Sequence, residues 1–468
     1  MSASATWLET WQPEDQDFWQ QTGRRIAYQT ITITTASLIL SFATWFVMSA
    51  IVVRLPQIGF QFTTLQLFWL GAMPGLAGGT LRLINTFLIP IFGTRHVVTL
   101  TTLLKILPSL GLGVAVMNPD TPLWVFIALS LALGLGGGDF SSYMPSTSLF
   151  FPRRLQGTAL GVQAGVGNFG VSLTQLVAPW IIGFPILGSL LGGPQVFSRP
   201  GRAAESIWLQ NAAFWFVPFL IVLGILAWIF LRSVPVRATL SQQLDIFKDR
   251  HTYFCTITYV MTFGSFSGLS AAFPLMIKAL YGDFPNAPDP LTYAFLGPLV
   301  GSVIRIVMGF PSDRWGGSIF TQIAGVGLIG CSLILIFGGY LTPASLGQFP
   351  AFVVLMVLLF LFSGIGNAST FRQYPIIFAH SPRQGAGVLG FSGAIAAYGP
   401  FIFSGLIGTS IAQTGSSVAF FWGAIAFWCF ASALNFWCYT RPGKGRWDFG
   451  STWGTWWDAR TSDGRLHA

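Results

Sequence analysis

Apolar residues recur along this chain in long runs, separated by short stretches of glycine, proline and charged residues. A helix needs about 20 apolar residues to cross the hydrocarbon core of a bilayer, and the runs reach that length. The pattern therefore predicts an all-α membrane protein with twelve transmembrane helices. In chain order, spans 1 to 12 are placed at residues 31–53, 68–91, 97–117, 124–151, 157–184, 212–231, 253–279, 291–313, 319–341, 351–379, 385–412 and 418–438.

Two internal similarities divide the spans into six and six. Arg82 follows Gly78 by four residues in span 2, and Arg305 follows Gly301 by the same spacing in span 8. The segments 136–141 and 364–369 form a second similar pair, at nearly the same separation along the chain. Repeats of this kind occur in transporters whose substrate site lies between the halves, near the membrane midplane. The arrangement resembles the major facilitator fold, with two pseudo-symmetric six-helix halves.

The segment 232–252 is the longest polar stretch between predicted spans, so it is interpreted as the linker between halves. The predicted divisions are a cytoplasmic N-terminal segment at 1–30, an N-terminal half at 31–231, the cytoplasmic linker at 232–252, a C-terminal half at 253–438 and a cytoplasmic tail at 439–468.

Charge sets the orientation of these spans. Only 8% of the residues are charged, against roughly 25% in a soluble domain, yet the net charge is +9. Sixteen of the 24 Lys and Arg residues fall in the two termini and in the loops that join an even-numbered span to the next odd-numbered span. Four fall in the loops on the other side of the membrane. The positive-inside rule then predicts that both termini are cytoplasmic. The expected protein is a multi-pass monomer in the lipid bilayer of the bacterial inner (plasma) membrane. The basic excess is explained by topology, so no nucleic-acid partner is expected.

Four basic residues, Arg82, Lys105, Arg305 and Arg372, are placed inside the spans, away from the loops. Asp139 is the only acid placed deep inside a span, since Asp313 lies at the cytoplasmic end of span 8. A charge at the bilayer centre costs about 2.5–3.5 kcal/mol on insertion scales, so such residues usually face a cavity or a partner. The positive excess predicts an anionic substrate. Arg82 and Arg305 occupy equivalent positions in the two halves, and their planar guanidinium groups suit a small planar oxyanion. The alternative is that each arginine pairs with backbone carbonyls or with Asp139.

The sequence is compatible with two roles for Asp139. Lys105 or Arg82 would lie at a similar depth and would form a structural ion pair with it. A carboxylate at this depth would otherwise be a proton-coupling group. Arg372 lies nearer the cytoplasmic face, where a gating or structural role is favoured over substrate contact.

An enzyme is not expected. The four histidines, His96, His251, His380 and His467, are placed in loops or the tail, and the four cysteines lack metal-ligand spacing. No catalytic constellation, cofactor or metal site is predicted.

The glycine-rich segments of spans 5 and 11, at 161–170 and 385–400, resemble the paired signature segments of the nitrate/nitrite porter (NarK-like) family of the major facilitator superfamily. The surroundings Gly-Thr-Leu-Arg82 and Ser-Val-Ile-Arg305 resemble those of that family's two substrate arginines, and the segment 259–266 resembles its seventh helix. The resemblance implies that the anion is bound by Arg82, Arg305, Tyr259 and Asn168, between walls formed by Phe42, Phe140 and Phe263.

The resemblance also implies a mechanism of opening. Gly165, Gly167, Gly390 and Gly393 would let the halves rock, and Asp313 with Arg314 resembles the superfamily's cytoplasmic gating loop. Asp139 stands where the family has an asparagine, and Gln163, Ala164, Ala396 and Pro400 also depart from the signatures.

The resulting expectation is secondary active transport of nitrate and nitrite by alternating access, through nitrate/nitrite exchange. Proton-coupled nitrate symport using Asp139, or transport of another small oxyanion or small carboxylate, is the alternative. A membrane receptor is a rival of a different class, but its output domain would need longer cytoplasmic tails than 1–30 and 439–468.

Overall fold

The computed structural model describes residues 6–86, 88–186, 191–198, 203–235, 244–378 and 381–441. Within these ranges, eleven helical segments are long and apolar enough to cross a membrane: Gln16–Ile51, Thr64–Asn85, Ile91–Ala115, Leu123–Phe150, Asn211–Phe230, Arg250–Tyr281, Pro290–Val307, Gly317–Phe337, Leu346–Ile377, Gln384–Thr414 and Val418–Thr440. These are spans 1 to 4 and 6 to 12.

Span 5 is the helix Arg153–Ile181, whose 29 residues are enough to cross the bilayer. Glycines, glutamines and Asn168 interrupt its apolar residues, so it is less hydrophobic than the other spans. Its glycines let it pack closely on span 1: a Cβ at Gly170 would lie 2.0 Å from the carbonyl oxygen of Ile39. The twelve predicted spans thus all correspond to helices.

Several spans consist of consecutive helices. Span 1 consists of Gln16–Phe18, Trp19–Gly23 and Arg24–Ile51, span 2 of Thr64–Asn85, span 3 of Leu88–Leu104 and Ile106–Ala115, and span 4 of Leu123–Gly138 and Phe140–Phe150. Span 5 consists of Arg153–Ile181, span 6 of Asn211–Phe214 and Phe216–Phe230, span 7 of Arg250–Tyr259, Val260–Gly264 and Ser265–Tyr281, and span 8 of Pro290–Ala294 and Leu296–Val307. Span 9 consists of Gly317–Phe337, span 10 of Leu346–Gln348 and Phe349–Ile377, span 11 of Pro382–Ala396 and Gly399–Thr414, and span 12 of Val418–Asn435 and Phe436–Thr440. Short helices at Leu55–Ile58, Leu244–Lys248 and Gly309–Trp315 lie between spans.

Three of the interruptions coincide with residues singled out from the sequence. Lys105 separates the two helices of span 3, and Asp139 separates the two helices of span 4. In span 7 a π-helical turn, Val260–Gly264, follows Tyr259 directly. Such wide turns are rare in helices and are frequent at functional sites.

Span 1 begins earlier than the apolar pattern predicts. The Asp15 carboxylate caps the helix by accepting from the backbone N–H groups of Asp17 and Phe18, at 2.8 and 3.1 Å. The segment Gln16–Ile51 has 36 residues, roughly 54 Å at 1.5 Å per residue, so its first turns extend beyond a hydrocarbon core of about 30 Å. The predicted cytoplasmic segment 1–30 is therefore partly helical.

The residues before this helix pack against the ends of spans 4 and 6. The indole nitrogen of Trp11 donates to the carbonyl of Leu149 at 2.9 Å, and Leu8 N donates to the carbonyl of Ser233 at 2.9 Å. Gly93, at a kink near the start of span 3, has a φ of 78° and a ψ of 158°, which are not helical angles. A Cβ there would lie 2.3 Å from the Ser233 hydroxyl, so glycine permits both the backbone turn and this contact.

At the other membrane face, where span 1 ends, the two predicted halves are in contact. Arg54, at the end of span 1, forms a salt bridge of 2.6 Å with Asp289, at the start of span 8. Nearby, Lys278 Nζ of span 7 donates to the carbonyl of Val53 at 2.7 Å. We call the Arg54–Asp289 and Lys278–Val53 contacts the outer latch.

The connection between spans 5 and 6 covers this latch. It contains an antiparallel strand pair, β1 (Gln195–Phe197) and β2 (Glu205–Ile207), with Gln195 opposite Ile207. The Phe197 ring lies 4.9 Å from the Arg54 guanidinium carbon. Arg54 is consequently only 4% exposed, although it lies at the end of a span.

Two of the histidines expected in loops lie in helices instead. His96 belongs to Leu88–Leu104, and His251 belongs to Arg250–Tyr259. His251 is buried, and its Nδ1 is 2.8 Å from the Tyr439 hydroxyl. The prediction was wrong because these helices continue past the apolar run. His380 and His467 lie outside the described residues.

Candidate functional site

Arg82 lies at the contact between the two predicted halves and is completely buried. Its Nε donates to the carbonyl of Gly137 in span 4, and its Nη1 donates to the carbonyl of Gly393 in span 11, both at 2.7 Å. Nη2 has no hydrogen-bond partner within the described part of the chain. Arg82 therefore pairs with backbone carbonyls through Nε and Nη1, and this pairing leaves Nη2 without a hydrogen bond.

Arg305 lies on span 8, with 4% of its surface exposed. Its Nη2 donates to the Tyr259 hydroxyl at 3.3 Å. The hydrogen-bond pattern orients the Asn168 amide so that its oxygen accepts from Arg305 Nη1 at 3.0 Å, while its nitrogen donates to the carbonyl of Ala164 at 3.3 Å. The structure thus brings spans 5, 7 and 8 together around this guanidinium.

A single ring, Phe263, contacts both arginines. Its centroid is 5.2 Å from the Cζ atom of Arg82 and 5.8 Å from that of Arg305. The ring stacks on Tyr259 at 5.4 Å and lies 6.4 Å from Phe140 and 6.5 Å from Phe42. The residues predicted from sequence to wall the site therefore form one cluster.

Two aromatic residues of this cluster were missed by the sequence reasoning. Phe371 of span 10 stacks on Tyr259 at 4.9 Å and lies 4.8 Å from the Arg305 guanidinium. Its position one turn after Ala368, the residue that the repeat aligns with Phe140, was the available signal. Trp45 of span 1 lies 5.2 Å from the Arg82 guanidinium and donates to the carbonyl of Pro74 at 2.8 Å.

The site is strongly electropositive. Among the described residues, neither Arg82 nor Arg305 forms a salt bridge, and their hydrogen bonds go to carbonyl, hydroxyl and amide oxygens. Aromatic faces offer a cation only about 0.5–2 kcal/mol each, so two buried positive charges remain incompletely compensated. An anion between them would supply the missing charge.

Asp139 has a different partner. Its Oδ2 accepts from the ammonium of Lys105, from the Ser41 hydroxyl at 2.6 Å and from the Tyr143 hydroxyl at 3.2 Å. All four side chains are buried. Of the two ion-pair partners considered from sequence, Lys105 makes the pair, and Arg82 makes no hydrogen bond to Asp139.

Two of the four predicted gating glycines, Gly165 and Gly167, lie at close contacts. A Cβ at Gly165 would lie 2.4 Å from the side chain of Ile306, the neighbour of Arg305, and one at Gly167 would lie 2.6 Å from Leu38. Gly393 contributes the carbonyl that binds Arg82, while Gly390 lies opposite Thr86, where a Cβ would be 3.5 Å away.

The predicted cytoplasmic gating loop is only partly described. Arg314 is exposed on the helix Gly309–Trp315, and its guanidinium lies 5.4 Å from the Trp315 ring. The side chain of Asp313 lies outside the described residues.

The site is enclosed from both faces of the membrane. Arg82, Tyr259 and Asn168 have no exposed surface in this conformation. Contacts between the halves continue away from the site, where the hydroxyls of Thr80 and Tyr398 are 2.8 Å apart and Gln175 donates to the carbonyl of Ser270 at 2.9 Å. No group of three potential metal ligands occurs in the described ranges.

Comparisons with known proteins identify the family of the chain. Residues 33–379 match the family model of the Major Facilitator Superfamily. The chain is 57% identical over 442 residues to a probable nitrate/nitrite antiporter, NarK2, of Thermus thermophilus, covering 94% of this chain and 98% of that protein. It is 37% identical to the nitrate/nitrite transporter NarU of Escherichia coli strain K12, covering 88% of this chain and 91% of that protein.

The fold also matches a solved structure. The inward-facing, occupied structure of a bacterial homolog of the human lysosomal transporter Spinster superposes with a TM-score of 0.65 at 13% sequence identity, covering 88% of this chain and 96% of that one. This similarity supports the fold alone. The family model and the relatives show that this chain is a multi-pass membrane transporter, not an enzyme, and that it belongs to the nitrate/nitrite porter family of the major facilitator superfamily.

Proposed function

We propose that this protein exchanges nitrate for nitrite by alternating access. The observation that carries the proposal is a pair of buried arginines, Arg82 and Arg305, which lie on equivalent spans, both contact the Phe263 ring and have no carboxylate partner among the described residues. The names of the relatives, a probable nitrate/nitrite antiporter and a nitrate/nitrite transporter, agree with it.

The available donors suit a small oxyanion. Arg82 Nη2 has no partner among the described residues. The Tyr259 hydroxyl accepts from Arg305, so its own hydrogen can be donated to the anion. Nitrate and nitrite are planar and offer oxygen acceptors in one plane, which a guanidinium fork matches. The rings of Phe42, Phe140 and Phe263 would exclude water and strengthen these bonds.

Electrostatics give a reason for obligatory exchange. Two unit charges roughly 10 Å apart repel by about 1.7 kcal/mol at an effective dielectric constant of about 20. An anion roughly 5 Å from each would be attracted by about 3.3 kcal/mol to either arginine. The attraction exceeds the repulsion, so closing around a bound anion is favoured over closing an empty site. The carrier would then reorient mainly when loaded.

The remaining assignments follow the charge distribution. The Lys and Arg bias supports an inner-membrane location with cytoplasmic termini, a cytoplasmic linker at 232–252 and a tail at 439–468. We further propose a monomer whose halves, 31–231 and 253–438, rock about the site, with Gly165, Gly167, Gly390 and Gly393 at the moving contacts. Asp313 and Arg314 would stabilise one closed state from the cytoplasmic side.

A second candidate function is proton-coupled nitrate symport. The buried carboxylate of Asp139, next to the wall residue Phe140, is the observation that favours it. Its ion pair with Lys105 weighs against it, because a proton would have to displace a buried partner.

Counterflow in proteoliposomes tests the proposal. Vesicles loaded with nitrite are diluted into nitrate, and released nitrite is measured colorimetrically with and without an imposed pH gradient. Release should require external nitrate and should not depend on the gradient. Nitrate uptake into nitrite-free vesicles, driven by the pH gradient, would contradict exchange.

The substrate site is tested in the same vesicles. Arg82→Ala and Arg305→Ala should each weaken nitrate binding at least thirtyfold, since truncating one partner of a buried charge pair costs about 2–5 kcal/mol. Arg25→Ala is the matched control, because Arg25 is exposed near the start of span 1. Unaltered binding in either site variant would rule out this site.

A further inference from the structure

We propose that Lys105 is a positioning residue for the anion site. Its ion pair with Asp139 keeps the site residues of the N-terminal half in position, and Asp139 carries no proton during transport. This inference rests on the proposed exchange function. It assigns a role to a residue whose ammonium bonds to Ser41 and Asp139 and not to Arg82, Arg305 or Tyr259 in the described structure.

The pair is the centre of a network that joins spans 1, 3 and 4. Lys105 Nζ donates to Asp139 Oδ2 and, at 3.0 Å, to the Ser41 hydroxyl. Ser41 donates in turn to the same carboxylate oxygen at 2.6 Å. Tyr143 donates to it as well, so the Thr101 and Thr102 hydroxyls, at 3.0 and 3.2 Å, donate to Tyr143.

Two members of the network are next to residues of the site. Ser41 precedes Phe42, and Asp139 precedes Phe140, whose ring lies 4.6 Å from the Arg82 guanidinium. Gly137, two residues before Asp139, accepts from Arg82 Nε. The network therefore supports two walls of the site and one anchor of Arg82 without a hydrogen bond to either arginine.

The backbone places the pair beside the site. Lys105 lies between Leu88–Leu104 and Ile106–Ala115 in span 3, and Asp139 lies between Leu123–Gly138 and Phe140–Phe150 in span 4. Both residues keep right-handed helical backbone angles, so each span continues past its charged residue. The ion pair therefore joins span 3 to span 4 directly before Phe140, at the level where this ring meets Arg82.

The Oδ2 atom of Asp139 is surrounded by hydrogen-bond donors. The charged and titratable groups that face it are Lys105 from span 3, Tyr143 from its own span and, further away, Arg82 from span 2, while span 1 contributes the Ser41 hydroxyl. Protonation of the carboxyl would leave the Lys105 ammonium buried without a counter-charge. Because Lys105 and Asp139 together carry no net charge, the positive charge of the site comes from Arg82 and Arg305 and not from Lys105.

Three variants separate positioning from proton coupling: Asp139→Asn, Lys105→Met, and the double variant Lys105→Met with Asp139→Asn. Nitrate–nitrite counterflow is measured for each at several pH values on either side of neutrality, to give KM, maximal rate and pH profile. Each single variant should lose most of its exchange because a buried polar partner is stranded.

The double variant should recover most of the maximal rate but show a nitrate KM raised about 10- to 100-fold, as is usual when a supporting shell is removed. Its pH profile should match that of the wild type. A wild-type KM in the double variant would overturn the positioning role. A pH-driven flux that disappears in Asp139→Asn would overturn the claim that Asp139 carries no proton.

Ser41→Ala keeps the test decisive if the charge variants do not fold. It removes one hydrogen bond to each ion-pair partner while leaving both charges, and it should raise the nitrate KM several-fold without changing the pH profile. An unchanged KM would contradict the proposal. Failure of the proposed function is distinguishable, because wild-type protein would then show no nitrate–nitrite counterflow at all.

Discussion

The outer latch gives a quantitative prediction about the opening of the site. In Arg54→Met the long apolar stem is retained, but the donors to Asp289 are lost. Arg54 Nη2 lies 2.8 and 2.6 Å from the two carboxylate oxygens, and hydrogen bonds between charged groups contribute about 1.5–3 kcal/mol. Because 21% of the Asp289 side chain is exposed, the lower end of that range applies.

A loss of about 1.5 kcal/mol shifts an equilibrium about tenfold. The latch joins span 1 to span 8, so its loss should favour opening on the latch face by that factor. Ala271 of span 7 is 2% exposed and borders a gap between the halves, and Ala271→Cys therefore serves as a reporter. The four native cysteines are replaced so that only the reporter cysteine reacts. In vesicles that contain this protein, a membrane-impermeant maleimide should label the reporter about tenfold faster when Arg54→Met is also present.

Two controls make the result specific. Arg25→Met removes an exposed arginine near the start of span 1 and should leave the labelling rate unchanged. The charge swap Arg54→Asp with Asp289→Arg should return the rate towards that of the parent. An unchanged labelling rate in folded Arg54→Met protein would refute the reasoning that the salt bridge stabilises the closed state.

Three further predictions concern the site and its packing. Tyr259→Phe removes a hydroxyl that bonds Arg305 and, in our proposal, the anion, so nitrate affinity measured by competition should fall at least tenfold. Gly170→Ala places a Cβ 2.0 Å from the Ile39 carbonyl oxygen, and this overpacking should destabilise the protein by about 1–3 kcal/mol. The Tm in a thermal scan should fall, and an unchanged Tm would contradict the close contact. Trp45→Phe loses the hydrogen bond to a span 2 carbonyl and should cost about 1 kcal/mol of stability, with slower counterflow, since the indole also packs on Arg82.

The apolar pattern predicted the spans well because the bilayer is a uniform solvent that requires about 20 apolar residues per crossing. It did not predict where span 1 begins, since a helix can continue into water once a residue such as Asp15 caps it. His251 was wrongly placed in a loop because its helix begins before the apolar run, where the Asp249 carboxylate caps it by accepting from the His251 backbone N–H at 2.8 Å.

The arginines of the site were predictable because a charge within a span is rare and conspicuous. The aromatic walls were not predictable from residue type, because the chain contains 44 phenylalanines and Phe371 differs from the others only in its surroundings. The partner of Asp139 also stayed open, because depth along a span is readable from sequence but rotation of the helix about its axis is not.

The bond from Arg82 to the Gly393 carbonyl crosses between spans 2 and 11, and hence between the proposed halves. In the proposed mechanism, rocking the halves apart at this level would break the bond and make Nη1 available to the anion. Closing them would return that donor to the carbonyl, so the enclosed anion would be held by fewer hydrogen bonds than an anion that is just entering. Binding would then be strong where the ion loses its water, and the enclosed complex would not be so stable that it slows turnover.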